Sequence, residues 1–192
     1  MACYTPRLRR WTRAEYDRLI EAGIFQSGEP VELVGGELLV SEPPGSAHYT
    51  AIGLVEDALR TELGPGWLVR TQGPLALTDD SEPEPDVAVT RGTRREYRDQ
   101  HPSRPALVVE VAESSVALDR EQKGSLYARA GVADYWILNL VDRVLEVYRE
   151  PIEDAAARFG WRYAWTEVLS SGSSATPLIA PAARISVSDL LP

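Results

Sequence analysis

The chain has 192 residues, of which 44% are hydrophobic, and a net charge of −9. That length fits one domain, and the composition excludes a chain that is disordered throughout. No apolar run approaches the ~20 residues of a membrane helix, and a lone cysteine, Cys3, excludes an internal disulfide framework.

The first segment, MACYTPRLRRW, is basic, but no apolar stretch follows it, so a signal peptide is not expected. The expected compartment is the reducing cytoplasm. Thr12-Arg13-Ala14-Glu15 has the pattern of a capping box and predicts a short helix to about Ala22. Val31–Val34 and Glu37–Val40 flank Gly35-Gly36, which predicts a hairpin. Ser46 can cap a helix from Ala47 to about Leu63, with Ile52, Val55, Leu59 and Leu63 on one face. Short strands are expected near Trp67–Thr71 and Pro74–Leu77, then an acidic, proline-containing loop over 79–85 in which Glu82 and Glu84 are solvated. A strand begins at Asp86 and runs to Thr90. The Arg-rich stretch 91–104 reads as a loop or irregular helix. Ala106–Ala112 is an apolar run interrupted only by Glu110, the pattern of a strand buried on both faces. Leu118–Ala130 predicts a helix closed by Gly131, with Ser114 and Ser115 capping that region, and Asp134–Val141 predicts a further strand. Together they make a βαβ unit. Strands are expected at 143–148 and 161–169, with 151–158 as a short insert, 172–177 as a polar loop and 185–190 as a helical turn. The expected fold class is α/β with α+β mixing: a central mixed sheet flanked by helices. The chain reads as one domain over 1–192, with an N-terminal helical segment (1–24), a core (25–145) and additional C-terminal strands (146–192).

Charge is unevenly spread. Arg7, Arg9, Arg10, Arg13 and Arg18 form one basic island, and Arg91, Arg94, Arg95, Arg98 and Arg104 form another. Either could touch phosphates, or be solvated surface. Of the 20 basic residues, 19 are Arg, and Lys123 is the only lysine. Where Arg has replaced Lys throughout, a surviving Lys marks a place where the two are not interchangeable, because Lys is a compact point charge with a tunable pKa.

With so few His and Cys, any bound metal must be a hard ion held by carboxylates. A carboxylate inside an apolar strand is costly unless it is paired or bound to a metal. Glu110 is such a group, and Asp86 stands at the mouth of a second apolar strand. Two such carboxylates can hold Mg²⁺, or Mn²⁺, with a neighbouring backbone carbonyl, that of Val111, completing the set. Asp119, Lys123 and Tyr127 are spaced i, i+4, i+8 and share a helix face. The plainer alternative is a surface Asp119–Lys123 ion pair. Glu32 and His48 are further candidates, each with an ordinary solvent-facing alternative. Tyr127 and Trp136 fit the core better than a stacking platform.

Pro85-Asp86 and Val109-Glu110-Val111-Ala112 resemble the motifs of the PD-(D/E)XK nuclease superfamily. The stretch Leu107–Ser115, then Asp119, Lys123, Tyr127-Ala128 and Gly131–Ile137, with Val31–Leu38 and His48, resembles the Uma-two family, described as putative endonucleases. The resemblance spans roughly residues 10–145. It implies a restriction endonuclease-like fold and a Mg²⁺-dependent hydrolase of DNA phosphodiester bonds; a homodimer is expected separately, because cutting both strands of a duplex is easiest with two sites. Asp86, Glu110 and Lys123 would be catalytic, Asp86, Glu110 and Val111 would hold the metal, and Arg94, Arg95 and Arg98 would bind substrate. Ala112 departs from the pattern, because the superfamily lysine is expected there; the resemblance implies that Lys123 supplies the amine from the helix. Two other readings stand beside this one: an inactive interaction module with the same fold, and a metal phosphoesterase acting on a small nucleotide.

Overall fold

The computed structural model describes residues 8–192 apart from Glu42 and Pro44; Cys3 and Arg7 lie outside the described residues. Strands β3 (Trp67–Thr71), β4 (Val87–Arg91), β5 (Leu107–Ala112), β6 (Asp134–Asn139), β7 (Val144–Glu153) and β8 (Trp161–Ser170) form one six-stranded sheet in that order. All neighbours are antiparallel except β5 and β6, which are parallel. The β5–β6 crossover carries α3 (Val116–Leu118), a π-helical turn (Asp119–Lys123) and α4 (Gly124–Arg129), so the expected βαβ unit is present. Helices α1 (Arg13–Glu21) and α2 (Ser46–Leu63) and the separate hairpin β1 (Val31–Val34) and β2 (Glu37–Val40) precede the sheet. The fold is a mixed α and β architecture around a mixed sheet.

Alternation along β5 decides what faces what. Leu107, Val109 and Val111 pack with Ile52, Val55 and Leu59 of α2 on one face of the sheet. Val108 and Ala112 pack with Tyr127 and Ala128 of α4 on the other. Glu110 falls between them on the α4 face. Each fully buried aliphatic side chain contributes about 1.5–3 kcal/mol, so both layers hold the strand in a register that puts Glu110 inside.

The structure departs from the sequence expectations where long-range pairing decides. Pro74–Leu77 forms no ladder strand; Leu75 N–H donates to Pro83 and Ala76 N–H to Pro102. Strand β7 runs through Pro151 to Glu153, because that residue pairs with Trp161 across a ten-residue hairpin arm. The 151–158 insert is thus half strand. The 172–177 loop contains β9 (Ser174–Ala175), which pairs with β10 (Ile185–Ser186) before a 3₁₀ turn at Val187–Asp189. Gly45, not Ser46, occupies the cap position of α2, and no side chain caps it. Ser115 precedes α3 but donates its hydroxyl to the Asp119 carboxylate instead of capping backbone. No helix among the described residues is long and apolar enough to cross a membrane.

The β1–β2 hairpin closes on Gly35-Gly36, both with positive φ (57° and 79°), as a two-residue turn requires. A Cβ on Gly35 would sit 2.1 Å from the Phe159 ring. Gly35→Ala should therefore cost about 1–3 kcal/mol, read as a fall in melting temperature by thermal denaturation.

Candidate active site

The register Val87↔Val109 places Asp86, just before β4, beside Glu110 on β5. The Asp86 N–H donates to Glu110 Oε2 at 3.3 Å, and Val111 N–H donates to Asp86 Oδ2 at 2.8 Å. Each carboxylate is thus held by a backbone N–H of the other strand segment, Glu110 by that of Asp86 and Asp86 by that of Val111. His48, in the first turn of α2, meets Asp86 Oδ1 through Nε2 at 3.1 Å. Lys123 Nζ donates to Glu110 Oε1 at 3.0 Å and lies 3.2 Å from Glu32 Oε1. The Tyr127 hydroxyl donates to the same Glu110 oxygen at 2.6 Å. Glu32 Oε2 in turn accepts the Glu84 N–H at 3.0 Å. Glu110, Glu32, Asp119 and Lys123 are all buried, so this is no surface ion pair. The structure brings together Asp86, Glu110, Lys123, Glu32, His48 and Tyr127, and places Asp119 on the same cavity wall.

The π-helical turn helps to aim this helix. The Asp119 carbonyl accepts the Gly124 N–H, five residues on, and also the Tyr135 hydroxyl at 3.0 Å. Such turns absorb one extra residue within a helix. Asp119 and Lys123, at its two ends, both turn inward. Ala112, where the superfamily pattern puts lysine, lies in the apolar layer with Tyr127.

Glu32, His48, Asp86, Glu110, Asp119 and Lys123 line a cavity of about 600 Å³. Six acidic side chains, including Glu84 and Glu113, line it against Lys123 and His48. Burial pushes the Glu110 carboxyl up to about 8, with the Lys123 ammonium pulling it back and Asp86, Asp119 and Glu32 adding to the rise. Burial likewise raises Asp119 to about 6. Burial pulls the Lys123 pKa down, but Glu110, Glu32 and Asp119 outweigh it and hold the amine well above the ordinary lysine value. His48 is raised by its hydrogen bond to Asp86. The Tyr127 phenol is held neutral by burial and by Glu110.

Sequence reasoning left out Gln72 and Glu84. Gln72 lines the cavity with a positive φ of 46°, and its N–H donates to the Asp86 carbonyl at 3.0 Å. Nothing in the sequence signals this, since the contact depends on the pairing of β3 with β4. Glu84 is an exposed loop residue as expected, although it lines the cavity, whereas Glu82 is not solvated. Glu82 is buried, pairing its backbone with Leu33, and Glu84 reaches Glu32. The Pro83 and Pro85 flanks were the available signal for an extended, fixed segment. Arg94 and Arg95 line neither this cavity nor the larger one beside it, while Arg98 lines the latter.

A family model described as a putative restriction endonuclease, Uma2, matches residues 13–188. The chain belongs to the Uma2 family of putative restriction endonucleases. A crystal structure of a putative nuclease of the DUF820 family, from Anabaena variabilis ATCC 29413, has the same fold. It aligns with a TM-score of 0.66 at 17% identity, covering 90% of this chain and 96% of that one. No curated protein matches the chain.

A group whose pKa is raised on folding stabilises the fold below its unfolded value, and loses that stabilisation as pH rises through the folded one. Glu110, Asp119 and His48 all act in this sense. The metal-free protein should therefore lose stability from pH 5 to 8. A loss of 1 kcal/mol lowers the melting temperature by roughly 2–4 °C in a chain of this size. Glu110→Gln should flatten the profile measured by thermal denaturation. A profile unchanged by that substitution would show that Glu110 is not the source of the pH dependence.

Proposed function

We propose that the chain is a Mg²⁺-dependent endonuclease that hydrolyses DNA phosphodiester bonds at the Asp86–Glu110 pair. The observation that carries this reading is a carboxylate pair, Glu110 buried and Asp86 part-buried, held by backbone and faced by the chain's only lysine, whose Nζ lies 3.0 Å from Glu110. Membership of a family of putative restriction endonucleases supports it.

The donor set fits a hard divalent ion. A carboxylate offers about four lone-pair sites. Glu110 Oε1 spends its two on Lys123 and Tyr127, while Glu110 Oε2 and both Asp86 oxygens each accept a single donor. Three lone pairs remain. Mg²⁺ commonly takes one or two carboxylates and keeps several waters. No group of three or more His, Cys, Asp or Glu is assembled around a common point among the described residues. Asp86, Glu110 and the Val111 carbonyl would hold the ion. Bound there, it would neutralise charge on the phosphate and make water a better nucleophile near neutral pH.

The protein's own groups divide the remaining work. Lys123 stays protonated because three carboxylates surround it, so it acts as a cation and hydrogen-bond donor toward the phosphate, not as a base. Glu32 holds the same ammonium at 3.2 Å, beside Glu110 at 3.0 Å. Tyr127 fixes the Glu110 carboxylate through a neutral hydroxyl. His48 orients Asp86. Cutting both strands of a duplex with one such site per chain calls for two copies, so a homodimer is part of this reading.

Magnesium should raise the melting temperature of the wild-type chain, and Asp86→Asn or Glu110→Gln should abolish that rise. Lys123→Ala should keep the metal-induced rise and lose cleavage of plasmid DNA by about 10²–10³-fold. Cleavage retained by Glu110→Gln would sink the proposal, and a folded wild type that neither binds Mg²⁺ nor cuts would favour the inactive interaction module.

A further inference from the structure

Beside the acidic cavity lies a larger one, of about 910 Å³, with the opposite lining. Two basic islands far apart in sequence meet on it. Arg13 comes from α1, Arg91 from the end of β4, and Arg98 and Arg104 from the segment that follows. Backbone contacts bring them together: Arg13 N–H donates to Asp79 at 2.6 Å, and Ala76 N–H donates to Pro102 at 2.9 Å.

Three carboxylates share this lining. Glu82 lies 3.5 Å from Arg13 and 3.8 Å from His101, and Asp99 pairs with Arg98 at 3.0 Å. Asp17 is exposed. Arg91 and Arg104 have no carboxylate partner among the described residues. The Arg91 guanidinium is instead held 4.8 Å over the Trp67 ring, which leaves its donors free. Burial lowers the His101 pKa, and the positive charge of Arg70 and Arg13 adds to the fall.

The acidic cavity shows the complementary deficit. Of the chain's arginines, none among the described residues lines it. A polymeric phosphodiester entering there would meet six carboxylates and find its phosphates gripped only by Lys123 and His48. One short segment, 82–86, contributes residues to both linings. Glu82 faces the basic side, and Glu84 and Asp86 face the acidic one. Four residues span at most ~14 Å, a length covered by roughly four nucleotides at ~3.4 Å per nucleotide of a duplex strand. The two linings therefore lie within the reach of a few nucleotides of one strand.

We propose that the arginine-lined cavity anchors the phosphodiester backbone of the nucleic acid whose scissile bond lies at Asp86 and Glu110, with Arg91 and Arg104 as the free phosphate donors. Guanidinium suits this task, because its planar fork matches a phosphate with two parallel hydrogen bonds. The acidic site then does chemistry, and the basic cavity supplies affinity that the acidic site cannot. The proposal rests on the nuclease reading for its scissile bond, but not for the anchoring itself.

The test pairs a polymer with a small diester. Binding of a fluorescent 20-base-pair DNA is measured by anisotropy with Ca²⁺ in place of Mg²⁺, from 50 to 200 mM salt. Hydrolysis of bis(4-nitrophenyl) phosphate is measured with Mg²⁺. The double variant R91Q/R104Q should bind DNA at least ~10-fold more weakly, with a salt slope smaller by about 2, near one unit per lost phosphate contact. Its melting temperature and its turnover of the small diester should match wild type, because a small diester reaches only the acidic cavity. Unchanged DNA affinity and salt slope would overturn the anchoring role. An equal loss on polymer and small diester would also overturn it, by showing a general effect on the fold. If wild type cleaves neither substrate yet loses DNA binding in the double variant, the anchoring stands and the nuclease reading fails.

Discussion

The structure around the site depends on one constraint: a carboxylate stands mid-strand where both faces are buried. Glu110 is held between Val108 and Ala112 on a strand with no exposed residue. Burying an ion this deeply costs several kcal/mol unless donors meet it. Three do: the Lys123 ammonium, the Tyr127 hydroxyl and the Asp86 N–H. Each comes from a different direction. The helix must carry lysine and tyrosine four residues apart, and β4 must pair with β5 in a register that sets Asp86 beside Glu110. The hairpin must deliver Glu32 to the same ammonium. Much of the architecture can be read as the set of supports that one side chain demands.

Local irregularities collect at the same place. The helix between β5 and β6 is not uniform α-helix but contains the π-helical turn, whose carbonyl at Asp119 also takes the Tyr135 hydroxyl. Gln72 adopts a left-handed conformation while its N–H holds Asp86. Such features cost free energy and persist only where surrounding packing overdetermines them. Tyr127 and Tyr135 are fully buried against each other, with ring centroids 5.0 Å apart. The apolar layer beneath the site thus stabilises the strain above it, which links core packing directly to the placement of Lys123.

Much of this was legible in the sequence because it was local or anomalous. Gly35-Gly36 between two β-prone runs specified the hairpin, and Thr12 with Glu15 specified the capping box that the structure contains. Glu110 stood out by interrupting an apolar run, and Lys123 by being the only lysine. The parts that were not legible depend on partners distant in the chain. Glu84 reaches Glu32 across 52 positions, and Glu82 is buried only because its backbone pairs with Leu33. Pro74–Leu77 has strand-like composition but no ladder partner. Strand β7 continues past its expected end because β8 offers pairing partners as far as Glu153. Periodicity reports which face a residue prefers, and it cannot report which distant backbone will satisfy it.

The charge of −9 looks at odds with a polyanionic substrate until its distribution is followed. Carboxylates that would hold a divalent cation bind it as anions, so the ion would have to displace the proton that burial favours on Glu110. An arginine among them would pair with one permanently, since guanidinium does not deprotonate and binds carboxylates bidentately. Lysine makes a smaller demand: a single Nζ divides its attention between Glu110 and Glu32 and leaves both Asp86 oxygens to other partners. A chain that uses Arg at every other basic position therefore has a physical reason to keep Lys at 123 and to hold its arginines out of the acidic cavity. In the proposed reading, the segment 82–86 contributes to both linings, so the two charges lie about one extended segment apart. The net charge, summed over the whole chain, conceals that arrangement.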